Sequence, residues 1–85
     1  MLSLQSREHA SVLRMLLNDG ELATLDPVAL APHASLPFET AVRIALADLE
    51  HLTDLTEHGH DVRSERWRQL AADLGILYGL AVPGR

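Results

Sequence analysis

Three side chains in the middle of the sequence have the types and spacing to hold a metal ion: His51, Asp54 and His58. On a helix, positions i, i+3 and i+7 share one face. Imidazole nitrogen with carboxylate oxygen is a donor set that suits Zn²⁺. Glu50 and Glu57 flank the trio, and His60 follows just past Gly59. A solvated polar face opposite an apolar stripe gives the same spacing, without the fixed geometry of a His-Glu-x-x-His site. The expectation is a solvated face, with no metal and no cofactor.

Other catalytic chemistry finds little support. Asp48, Glu50, Asp54 and Glu57 fall on the polar flank of an amphipathic pattern, so nothing sets a pair of them apart as acid and base. The serines at 3, 6, 11, 35 and 64 stand in no Gly-x-Ser-x-Gly context. The five glycines form no phosphate loop, and the absence of Cys excludes thiolate ligands, thiol nucleophiles and disulfides. The reading is not an enzyme, and no residue is assigned as catalytic.

Charge narrows the partners. The chain carries 12 acids and seven Arg, with no Lys, for a net charge of −5. Between Asp19 and Glu57 there are eight acids and one base, Arg43, a local net of −7. An acidic surface repels phosphate backbones, so nucleic acid is disfavoured. The most apolar stretch, Leu70 to Val82, is 13 residues long and contains Asp73, against roughly 20 residues for a membrane span. The first residues lack the basic and apolar regions of a secretory signal. The expected location is the cytoplasm.

The elements that position these residues are helices. With 85 residues, one domain over 1–85 is expected. Leu and Ala number 28 against 11 for Val, Ile and Thr together, a bias toward helix. Val12, Leu13, Leu16 and Leu17 predict a first helix from about Gln5 to Asp19, stopped by Gly20. A connector follows, with Pro27, Pro32 and Pro37 five residues apart. Asp26 before Pro27 predicts a short helix ending near Ala31, with Leu22, Leu25, Val28 and Leu30 pinning it to the core.

A second long helix is predicted after Ser35, with Leu36 and Pro37 in its first turn and its stop at Gly59. Its stripe is Phe38, Ala41, Val42, Ala45, Leu46, Leu49 and Leu52, and Glu39 with Arg43 forms an i, i+4 pair. A third starts near Asp61 or Ser64, either of which can cap it, and ends at Pro83 and Gly84. Its stripe is Trp67, Leu70, Ala71, Leu74, Leu77, Tyr78 and Ala81. The tight turn at His58-Gly59-His60 makes the second and third helices an antiparallel hairpin. The predicted fold is all-α, a small three- to four-helix bundle with the first helix across the hairpin.

Asp26 to Leu49 offers an alternative, because it resembles the helix-turn-helix of winged-helix regulators. Val28 to Ala31 stands where the first helix lies, His33 to Pro37 the turn, and Phe38 to Leu49 the recognition helix. The resemblance implies an α+β fold and a DNA-binding transcriptional regulator, with a two-stranded wing between Leu52 and Arg68. Its DNA contacts would be Thr40 and Arg43 on the recognition helix and Arg63, Arg66 and Arg68 in the wing. This chain departs from the pattern at Pro32, inside the first helix, and at Ser35, where a turn Gly is usual.

The primary reading is a protein–protein interaction module that self-associates, as a homodimer, or joins a larger complex. Its warrant is apolar surface in excess of what three helices of this size cover. Ile76 and Leu80 lie off the third helix's main stripe, beside the Gly75-x-x-x-Gly79 spacing that admits a close helix. The expected interaction surface is Trp67, Leu74, Ile76, Leu77 and Leu80, although Trp67, with Tyr78 and Phe38, also fits a core position.

Overall fold

The computed structural model describes residues 1–29 and 35–83. In chain order the elements are α1 (Leu4–Asn18), β1 (Val28–Ala29), β2 (Ser35–Leu36), α2 (Phe38–Glu57) and α3 (Ser64–Ala81). The protein is thus mostly helical with one small two-stranded sheet. No described helix is long and apolar enough to cross a membrane.

The first helix is set by its caps. Ser3 is the N-cap, and its Oγ accepts from the Ser6 backbone N–H at 3.2 Å, satisfying one of the unpaired donors of the first turn. The Ser3 hydroxyl also donates to Ser6 Oγ, so the buried Ser6 hydroxyl is hydrogen-bonded. At the other end Gly20 takes φ +75°. Its N–H donates to Leu17 O and the Glu21 N–H donates to Leu16 O, the paired bonds of a left-handed helix stop. The end of α2 repeats the device: Gly59 has φ +81°, its N–H donates to Thr56 O, and His60 N–H donates to Leu55 O.

Three expectations are corrected here. The predicted short helix after Asp26 is absent at Val28–Ala29, which form β1 instead. That strand pairs antiparallel with β2 in the register Val28 with Leu36 and Ala29 with Ser35. The register places buried Val28 opposite half-buried Leu36, so core burial overrides the local helix-start signal. The expected end of that helix near Ala31, Pro32 and the pinning role of Leu30 lie outside the described residues. Second, Leu36 and Pro37 do not open α2: Leu36 is in β2 and Pro37 is the N-cap. Third, neither Asp61 nor Ser64 caps α3, whose N-cap is Arg63 with no side-chain cap bond. The stretch 52–68, where a wing was the alternative, is α2 to Glu57, a turn, and α3 from Ser64.

The core follows the two predicted stripes. Phe38, Ala41, Val42, Ala45, Leu46 and Leu52 of α2 meet Trp67, Leu70, Leu74 and Leu77 of α3. Ala10 and Leu13 of α1 close the third side, and α1 packs more extensively on α3 than on α2. Leu22 and Val28 anchor the connector in the same core. Across α2 and α3, the Arg66 guanidinium donates to Asp48 Oδ1 at 3.0 Å. Arg66 lies near the start of α3 and Asp48 at mid-α2, so this pair ties the first turn of α3 to the middle of α2.

Candidate functional site

The Asp48–Arg66 pair joins α2 and α3 on an exposed side. On α2, Ile44 precedes Asp48 by four residues and so shares its side. On α3, Arg66 is followed at steps of three and four by Gln69, Asp73, Ile76 and Leu80, a single helical row. The Gln69 amide donates to Asp73 Oδ1 at 3.1 Å along that row. The polar half of the row ends there, and its far end is aliphatic. Ile44, Ile76 and Leu80 are 46%, 49% and 51% exposed. Half the surface of each of these branched side chains therefore faces water.

Beside Ile76 and Leu80, Gly75 and Gly79 leave the helix surface bare. A methyl group at either position would meet nothing within 4 Å. No described part of the chain uses these positions for close packing. Ile76 and Leu80 thus stand as knobs next to two holes on the same helix.

The five residues expected to form an interaction surface divide accordingly. Ile76 and Leu80 are exposed as expected, whereas Leu74 and Leu77 are fully buried and Trp67 is buried, all three within the intramolecular core. Their stripe covers the chain's own α1 and α2, so it is not on offer to a partner in the folded state. Ile44 was not foreseen, because one aliphatic off the α2 stripe carries no periodic signal.

The five proposed DNA contacts lie on α2 and at the start of α3. Arg43 and Asp48 are five residues apart, about 140° around α2, so Arg43 projects on the flank away from Arg66. Arg43 lies 3.8 Å from Glu39, and Arg66 is bound to Asp48. Arg68 lies two residues beyond Arg66, about 160° around α3. Thr40 sits in the first turn of α2 and Arg63 is the N-cap of α3.

At the candidate metal trio, the His58 ring nitrogen Nδ1 lies 2.9 Å from the backbone O of Asp54 and 3.4 Å from its Oδ1. The imidazole is thereby turned onto the end of its own helix. Among the described residues no three His, Asp or Glu side chains converge.

One aromatic contact was not legible in the sequence. The rings of His9 and Tyr78 stack with centroids 4.2 Å apart and planes 21° apart. They join the outer edge of α1 to the last turn of α3, and no local spacing links residues so far apart in the chain. Set against known proteins, the chain matches no family model, no curated protein and no solved structure.

Proposed function

We propose that this protein is a non-enzymatic helical interaction module, a three-helix bundle that associates with a second copy of itself through the outer face of its α2/α3 hairpin. The observation that carries the reading is the half-exposure of Ile76 and Leu80, one helical row of α3, and of Ile44 on α2, which by helical spacing shares the side of Asp48 that Arg66 meets. Covering apolar surface contributes roughly 25 cal/mol per Å², and aliphatic clusters rimmed by polar groups mark association sites. Gly75 and Gly79 favour a helix as the covering element, because bare backbone lets two helix axes approach closely. A second copy brings both knobs and holes, which suits a two-fold, self-complementary contact.

The test is the mass in solution by light scattering, across a dilution series. The wild type is expected above the monomer mass of 9.3 kDa at high micromolar concentration. Leu80→Glu and Ile76→Glu, both at exposed positions, are expected to return it to 9.3 kDa with the circular dichroism spectrum unchanged. A wild type that stays monomeric at that concentration contradicts self-association.

A further inference from the structure

A groove of about 780 Å³ lies between the amino-terminal half of α1 and the carboxyl-terminal half of α2. We propose that this groove docks an amphipathic helix of a partner protein, apolar on its seated face and cationic along the flank that meets α2. The floor is apolar: Leu2, Ala10, Leu49, Val62 and Trp67 line it. Leu49 and Val62 are only half-buried, so the floor is open to an occupant.

The walls carry opposite charge. Glu50, Asp54 and Glu57 stand along α2 at i, i+4 and i+7, with Asp61 beyond the turn. Arg7 and Arg14 stand along α1 at i and i+7. Among the described residues no ion pair joins the two walls; the pairs that form are Arg43 with Glu39 in α2, Asp54 with His58 at its C-cap, and Asp48 with Arg66 of α3. Four carboxylates face two guanidinium groups, so the lining is net acidic. The carboxyl end of α2 adds the negative pole of its dipole. A cationic flank is therefore what the groove attracts.

The spacing argues for a helix. The carboxylate row from Glu50 to Glu57 rises about 10 Å, roughly two turns. A partner helix with bases at i, i+3/i+4 and i+7 repeats that rhythm. A channel between two helical ridges seats a third helix by ridge-into-groove packing. This site is on the α1/α2 side and is independent of the self-association face.

The experiment uses the full chain and two synthetic helix-forming peptides with the same Leu face, one with Lys and one with Glu along a flank. Binding is read by anisotropy of a labelled peptide and by emission of Trp67, the chain's one Trp, at the groove floor. The Lys peptide is expected to bind and to shift Trp67 emission. Its affinity is expected to fall as salt rises from ~0.01 to ~0.15 M, where screening shortens from about 30 to about 8 Å. The triple variant Glu50→Lys, Asp54→Lys, Glu57→Lys is expected to weaken it at least about tenfold. Thr53→Phe, an uncharged block at an exposed lining position, is expected to weaken it too, with the fold checked by circular dichroism. Equal binding of the Glu peptide, unchanged affinity in the triple variant, or a still Trp67 signal overturns the proposal. So does a loss of wild-type oligomer mass in Thr53→Phe, which would make a second copy the occupant, or equal binding of a simple cationic amphiphile such as dodecyltrimethylammonium.

Discussion

The same substitution, Gly to Ala, should have opposite signs at the bend after α2 and inside α3. Gly59 ends α2 with φ +81°, whereas Gly79 sits inside α3 in ordinary helical geometry. A methyl at either site meets no atom within 4 Å, so sterics with neighbours contribute nothing and backbone preference decides. At Gly59 an L-residue in the left-handed region costs about 1–2 kcal/mol. The stiffer unfolded chain returns about 0.4–1 kcal/mol of that, leaving a net loss near ~1 kcal/mol. At Gly79 the helix gains about 0.5–1 kcal/mol from Ala. The two variants should therefore stand ~1.5–2 kcal/mol apart, or about 6–16 °C in Tm for a domain of this size.

The assay is thermal and urea unfolding in a Leu80→Glu background. That background removes the contribution of association, which would otherwise raise the apparent stability with concentration. Gly59→Ala should lower Tm and Gly79→Ala should raise it. If Gly79→Ala destabilised the monomer, the bare face of α3 would be packed within the chain, and the self-association argument would fail with it. If Gly59→Ala were neutral, the bend between α2 and α3 would not be the left-handed stop described here. Without the background mutation Gly79→Ala should also lower the oligomer mass, since it fills a hole.

Further expectations concern the core, a cap and the aromatic stack. Leu74 is fully buried at the centre of the helix interface, so Leu74→Ala should cost about 2–5 kcal/mol and leave the chain largely unfolded at 37 °C by circular dichroism. Arg63 holds N-cap geometry, φ −60° and ψ 140°, without a cap bond. Arg63→Asp should therefore stabilise α3 by about 0.5–2 kcal/mol, seen as a higher urea midpoint with an unchanged slope. His9→Ala removes the stack on Tyr78 and should cost about 0.5–1.5 kcal/mol, most of it restored by His9→Phe; full stability of the Ala variant would show that the rings only touch.

Much of the fold was legible because periodicity reports burial directly. The stripes Phe38 to Leu52 and Trp67 to Ala81 predicted both long helices, and Gly20 and Gly59 predicted their neighbours' ends through the conformation only glycine takes easily. The connector was misread for a physical reason. Asp26-Pro27 is a sound local helix start, yet the pairing of Val28 with Leu36 buries apolar surface that a short helix there would have to place otherwise. Capping of α3 by Asp61 or Ser64 failed because chain direction at the bend, not residue type, chooses which residue adopts N-cap angles.

The candidate site was half visible. Ile76 and Leu80 stood out as a second apolar set on one helix, but Ile44 joins them only across the Asp48–Arg66 contact. Trp67, Leu74 and Leu77 were placed on the surface as well as in the core, and a sequence stripe cannot tell a covering helix of the same chain from one of another chain. The groove between α1 and α2 depends on how the helices cross, which no spacing encodes.

The most direct measurement is the solution mass of the wild type and of the Ile76→Glu, Leu80→Glu double variant, side by side at high micromolar concentration. The outer face of the hairpin, as the seat of self-association, predicts a wild-type mass above 9.3 kDa and a double variant at 9.3 kDa with an unchanged helical spectrum. A wild type already at 9.3 kDa, or a double variant that keeps the larger mass, would contradict it.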